Sequence, residues 1–187
     1  MKKSLARKLS VFFAGIVFIT CLVLVGLTVM IFGNIEDRMK DVLYENTLQS
    51  YKTEVKSEVQ SAISSIEYYY NLSDSGKIDE ATAKKDALEA LRNLRYGDDD
   101  SGYFWVDDTD YNLVMHPILP EQEGTNRYDL TDKNGVKIIQ SIMKTAESGG
   151  GFNEFYFTKS DGKTVAPKVA YSQKFDKWNW VITTGIY

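Results

Sequence analysis

The sequence predicts an α+β fold, helices first and an antiparallel sheet after them, carried behind a membrane-spanning segment. Three observations predict it. Residues 11–32 form one apolar run without a charge. From residue 34 to about 71, apolar residues recur at three- and four-residue steps with no Gly or Pro between them, which is the period of a helix. Beyond Gly102 the period shortens to strand-like alternation in several segments. Helices followed by strands pack as helices on one face of an antiparallel sheet.

The apolar run comes first. At about 1.5 Å per residue, residues 11–32 cover the roughly 30 Å of a bilayer's hydrocarbon core. A cleaved signal peptide is the competing reading, but its apolar core runs only about 7–15 residues before a small-residue cleavage site. Here the run is longer, and Gly33-Asn34-Ile35-Glu36 offers no such site. Lys2, Lys3, Arg7 and Lys8 precede the run, while Glu36 and Asp37 follow it. That asymmetry keeps residues 1–10 cytoplasmic and sets residues 34–187 outside an inner or plasma membrane.

The segment over residues 34–71 predicts a long helix, with Ile35, Met39 and Val42 in one apolar row and Tyr51, Val55, Val59, Ala62, Ile66 and Tyr69 in another. A helix that long exceeds what one small domain buries, so part of the stripe is expected to seat a second copy in a homodimer. The alternative is that the whole stripe packs on its own sheet. Asn71-Leu72-Ser73-Asp74-Ser75-Gly76 reads as a loop. A second helix follows over residues 78–94, with Asp79 and Glu80 at its positive end and Ala87, Leu88, Leu91 and Leu94 as its stripe. It stops before the acidic turn Asp98-Asp99-Asp100.

Strands are expected at residues 103–106 and 113–116, around the turn Asp107-Asp108-Thr109-Asp110-Tyr111-Asn112. Pro117 and Pro120 open an irregular stretch. A short helix is expected over 136–147, ended by Gly149-Gly150-Gly151. Three strands complete the sheet at 152–158, 164–173 and 180–186, turning at Ser160-Asp161-Gly162-Lys163 and Phe175-Asp176-Lys177.

Charge and composition exclude several function classes. Four of the 22 basic residues precede the membrane run, so the rest of the chain sets 18 against 26 acidic residues, a net −8. Nucleic acid needs a basic face and is not an expected partner. The one cysteine, Cys21, lies inside the apolar run, so the outer domain holds together by its core and not by disulfides. No cofactor motif occurs, and one histidine cannot assemble a metal site or a catalytic constellation. The run Asp98-Asp99-Asp100-Ser101-Gly102 has its glycine one place early for a calcium loop, and Thr109 stands at the twelfth position. An enzyme is not expected.

What remains points to binding. On the first strand Tyr103 and Trp105 share one face, Phe104 and Val106 the other; one face must meet the helices, and the other can line a pocket. Arg92 and Arg95 are candidates for a two-pronged grip on a carboxylate, or else charges that favour a helix C-terminus. His116 is either a pocket residue or a hydrogen-bonded imidazole closing a strand. Lys168, inside an apolar strand, is expected to hold a ligand or a carboxylate, since a lysine is rarely left there unpaired. Lys168 and Tyr171 are three apart and so nominally on opposite faces; Trp178 and Trp180 read as packing.

In order and spacing, Gly102-Tyr103-Phe104-Trp105-Val106-Asp107, Met115-His116-Pro117, Glu123-Gly124-Thr125-Asn126, Pro167-Lys168-Val169-Ala170-Tyr171, Trp178-Asn179-Trp180-Val181-Ile182 and Gly185-Ile186-Tyr187 resemble the single Cache sensor domain of bacterial chemoreceptors and sensor kinases. The resemblance covers residues 35–187. It implies a PAS-like antiparallel sheet whose concave side holds one small ligand, often a short carboxylate such as acetate, propionate, pyruvate or lactate. Carried over singly, it implies ligand contacts at Arg92 or Arg95, Tyr103, Trp105, His116, Lys168 and Tyr171. Members often carry Glu-Tyr-x-Trp where this chain has Glu154-Phe155-Tyr156-Phe157, so a phenol is lost at 155 and returns at Tyr156, on the opposite strand face. The resemblance further implies a chemoreceptor whose second span and output module would follow residue 187. The input domain of a histidine kinase or cyclic-nucleotide enzyme, or a ligand-free dimerising anchor, are the alternatives.

Overall fold

Eight principal elements follow in chain order: α1 (Lys2–Asp74), α2 (Glu80–Asn93), β1 (Phe104–Asp108), β2 (Leu113–Met115), α3 (Ile138–Glu147), β3 (Gly151–Thr158), β4 (Val165–Phe175) and β5 (Trp180–Ile186). A single 3-10 turn at Pro120–Gln122 lies in the irregular stretch. The computed structural model describes residues 2–97, 100–159, 161 and 163–187. Asp98 and Asp99 of the expected acidic turn, and Ser160 and Gly162 of the β3–β4 turn, lie outside the described residues. Two compact units result, Met1–Leu48 and Gln49–Tyr187.

In the first unit the apolar run and the start of the amphipathic stretch belong to one helix. It contains a segment long and apolar enough to cross a membrane. Residues 11–32 are exposed throughout, as a lipid-facing surface would be. Ile35, Met39 and Val42 are exposed as well.

In the second unit the five strands form one antiparallel sheet in the order β2-β1-β5-β4-β3. The last strand in sequence sits at the centre, so both chain-distant halves of the sheet meet on it. Alternation gives the sheet two different faces. One face, with Phe104, Val106, Met115, Phe175 and Ile182, packs on Val55, Val59, Ala62 and Ile66 of α1 and on Ala83, Ala87 and Leu91 of α2. The four α1 residues are 0–1 % exposed, and each is worth about 1–3 kcal/mol of apolar burial. That row therefore packs on its own sheet. Of the stripe, a part of which is expected to seat a second copy, these four residues are covered within one chain.

The opposite face, with Trp105, Leu113, Phe155, Ala170 and Val181, packs on Ile138, Ile139, Ile142, Met143 and Ala146 of α3. α2 begins at Asp79, whose carboxylate accepts the amide of Thr82, a side-chain N-cap. α3 ends where Gly149 and Gly150 take φ of 100° and 97°, which reverses the chain into β3.

Candidate ligand-binding site

Between this second face and α3 lies a cavity. Its polar wall consists of Tyr103, Trp105, His116, Arg127 and Lys168; its apolar wall consists of Leu130, Ile138, Ile139, Phe155 and Phe157. The space its walls leave for the centre of a water molecule is about 10 Å³, close to the least that holds one water. Lys168 is 1 %, His116 2 % and Tyr103 6 % exposed.

Each polar group arrives by a local rule. Tyr103 and Trp105 point to the cavity by strand parity, as expected. His116 arrives through a bulge. Val106 pairs with Met115 and Asp107 with Leu113, so the ladder skips Val114. The skipped residue puts Leu113 and Met115 on opposite faces, and the next residue, His116, then faces the cavity. With an unbroken ladder His116 would point at the helices instead.

His116 is fixed in tautomer as well as in direction. Its Nδ1 accepts the amides of Ile118 and Leu119, both at 3.1 Å, so the neutral ring carries its proton on Nε2. Burial, with Arg127, Lys168 and Arg92 adding to it, takes the imidazole down to about 3. The ring is a donor at neutral pH and not a base.

Lys168 is the unusual group. Among the described residues no carboxylate lies within ion-pair distance of its ammonium. Its Nζ donates to the Tyr103 hydroxyl at 2.9 Å and lies 4.4, 4.8 and 4.8 Å from the ring centres of Tyr103, Trp105 and Tyr187. Ring faces soothe a cation only in part, and burial lowers its pKa to about 7. Arg127 differs: its guanidinium binds the fully buried carboxylate of Asp107. Burial raises the Asp107 carboxyl while Arg127 opposes that rise. With that pair balanced and His116 neutral, Lys168 is the cavity's uncompensated group, and the site carries a net positive charge when its ammonium is protonated, increasingly so as the pH falls through about 7.

The eight expected site residues divide evenly. Tyr103, Trp105, His116 and Lys168 come together. Arg92, Arg95, Tyr156 and Tyr171 do not line the cavity. Arg92 makes the two-pronged grip expected of it, with Nη1 and Nη2 at 2.7 and 2.9 Å, but on the protein's own Glu123. Glu123 also accepts the amide of His116 at 2.8 Å, so this pair braces the cavity from behind. Arg95 donates to the carbonyls of Arg92 and Leu94 at the end of α2, the helix-end role. Tyr156 lies under Lys133, whose Nζ is 3.7 Å from its ring centre. Tyr171 is on the helix-packed face of β4 against Phe152, as its three-residue offset from Lys168 requires. Trp178 and Trp180 are buried in that same core.

Arg127, Asp107 and the apolar wall were missed. Asp107 had a signal, since it continues the alternate set Tyr103, Trp105. Arg127 had none, because it stands in an irregular stretch whose course depends on pairing with β2: the Leu113 amide donates to Thr125, the Gly124 amide to Leu113, and the Arg127 amide to Tyr111. Phe155, at the position of the lost phenol, lines the cavity and contributes no hydroxyl.

With this geometry in view, the family model described as single Cache domain 2 matches residues 47–187. The chain belongs to the single Cache family. Its sheet and helices are those of a sensor domain of the kind that chemoreceptors and sensor kinases carry. Among curated relatives, the sensor histidine kinase MctS of Rhizobium johnstonii is 34% identical over 155 residues, which is 83% of this chain and 32% of that protein. The methyl-accepting chemotaxis protein McpP of Pseudomonas putida is 27% identical over 146 residues, 78% of this chain and 26% of that protein. The chain thus spans between 26% and 32% of the length of these relatives. Among solved structures, a periplasmic sensor domain of a chemotaxis protein superposes with a TM-score of 0.72 at 32% identity, covering 75% of this chain and 96% of that one. A Cache chemosensory domain solved for carboxylic acid recognition gives 0.71 at 26% identity, covering 76% and 97%.

Proposed function

We propose that residues 34–187 are the extracytoplasmic input of a membrane-anchored receptor, held by residues 11–32, and that its ligand is a short monocarboxylate. One observation carries this reading: a fully buried lysine without a carboxylate partner among the described residues, aimed at a small cavity. An anion there meets the Lys168 ammonium, the Tyr103 hydroxyl and the Nε2–H of His116, with the Arg127 guanidinium nearby. The wall of Ile138, Ile139, Phe155 and Phe157 suits a short apolar tail by its chemistry and opposes a second charge, and these side chains must part to seat it, since the space between the walls holds about one water. A zwitterionic amino acid fits poorly, because Asp107 is committed to Arg127. The carboxylic acid recognition described for a Cache neighbour supports the same class.

The output is read as transmembrane signalling: ligand favours one arrangement of the sheet and α1 over another, and α1 carries the difference across the membrane. In this reading residues 34–187 sense and do not catalyse, since His116 is no base at neutral pH. Its whole-protein output is that of a chemoreceptor, or of a sensor kinase.

A thermal-shift screen of the full chain in detergent tests the ligand class. Acetate, propionate, pyruvate and lactate are compared with succinate, alanine and ethylamine. At a hundred times its dissociation constant a binder adds about 2.7 kcal/mol. Stabilisation by a monocarboxylate alone supports the reading; stabilisation by ethylamine, or by no acid at all, sinks it.

A further inference from the structure

The cavity has a second opening problem: its polar walls are buried, yet a ligand has to reach them. A larger groove of about 610 Å³ lies at the end of the sheet, with Tyr51 and Glu54 of α1 on one side and Lys159 and Tyr187 on the other. Tyr103 lines both the groove and the cavity. Tyr187 lines the groove, and its ring centre is 4.8 Å from the Nζ of Lys168 inside the cavity. Tyr103 and Tyr187 therefore stand where the two spaces meet. The Tyr187 hydroxyl donates to the Thr158 carbonyl of β3 at 2.8 Å and also shares a hydrogen bond with the Tyr103 side chain. It is also 41 % exposed, so one side faces the groove while the other covers the lysine.

We infer that the groove is the vestibule of the binding cavity and that the Tyr187 ring is its gate, latched by the hydroxyl on Thr158. Swinging the ring out breaks its hydrogen bonds to Thr158 and Tyr103 and uncovers Lys168. Tyr103 is the fixed jamb: its carbonyl accepts the Thr184 hydroxyl at 2.5 Å, and Thr184 also bonds the Tyr96 hydroxyl at 2.6 Å. The rival route runs beneath Leu130, which is half-buried on the far wall. This inference rests on the cavity being the ligand site, but the gate itself is testable without any ligand.

The test uses the full chain in detergent with Cys21→Ser and a reporter Ile139→Cys, whose sulfur would lie in the cavity wall. The rate of its modification by methyl methanethiosulfonate is followed by mass spectrometry. Tyr187→Ala is expected to raise that rate by on the order of tenfold, and Tyr187→Phe, which loses only the latch, by a smaller factor. Leu130→Ala is expected to leave it within about twofold. A second reporter, Ala87→Cys in the opposite core, separates gate opening from general loosening, since only loosening accelerates both. Equal rates with and without the Tyr187 ring, acceleration by Leu130→Ala instead, or parallel acceleration of both reporters would overturn the gate. Propionate added to the Ile139→Cys protein checks the underlying reading separately. Failure to protect would refute the carboxylate site and leave the gate result intact.

Discussion

At the scale of single residues the domain is organised around one lysine that the fold does not neutralise. Burial brings the Lys168 ammonium to about 7, whereas in the unfolded chain it keeps an ordinary value near 10.4. Between those values the unfolded state binds the extra proton. Stability therefore declines as pH drops from about 10 to 7, and the full cost persists below 7. Replacing Lys168 by Met removes that cost and loses one bond to Tyr103. We expect Lys168→Met to melt at a higher temperature than wild type at pH 7, by about 1–2 kcal/mol. A lower melting temperature would mean that the ammonium has a stabilising partner.

At the scale of elements, strand parity decides what reaches the cavity. Parity on β1 and β4 is legible in the sequence: it sets Tyr103 and Trp105 on one face and separates Lys168 from Tyr171, and the structure lines the cavity with the first three and not with Tyr171. The bulge at Val114 is not legible, since it is a property of two strands pairing; His116 was found through its motif and owes its direction to that bulge. Arg92 shows the other limit. Its residue type predicted a carboxylate partner, but only the three-dimensional course of residues 116–127 makes that partner Glu123. The α1 stripe from Val55 to Ile66 was visible, while the surface it covers was not, because periodicity gives a face and not its occupant. The central strand offers a test at this scale. A Cβ on Gly185 would lie 2.5 Å from the Val169 carbonyl and 2.8 Å from the Ala170 Cα, both backbone atoms of β4. Gly185→Ala should cost about 3 kcal/mol by forcing β4 and β5 apart, read as a fall in melting temperature. An unchanged melt would show that the ladder yields more easily than its packing implies.

At the scale of the whole molecule, helix α1 runs from Lys2 to Asp74 without interruption and forms part of the sensor core through Val55, Val59, Ala62 and Ile66. A ligand that rearranges the sheet acts on a surface that α1 shares. If the chain is a receptor input, joining residues 1–187 to the output half of a chemoreceptor with a known readout should make that readout respond to propionate. The same hybrid with Lys168→Met should stay silent. A response to propionate in both would place the sensing elsewhere. The row Ile35, Met39 and Val42 is exposed, whereas Val55, Val59, Ala62 and Ile66 are buried against the sheet.

The central claim is that one buried ammonium recruits one carboxylate, and calorimetric titration of propionate into the full chain tests it most directly. At pH 6 Lys168 is largely charged and at pH 8 largely neutral, while propionate is ionised at both. Protonation of Asp107 at the acidic end acts in the same direction by freeing Arg127. The account predicts binding about tenfold tighter at pH 6 than at pH 8, and none at either pH in Lys168→Met. Equal affinity at the two pH values, or undiminished binding by Lys168→Met, would contradict it.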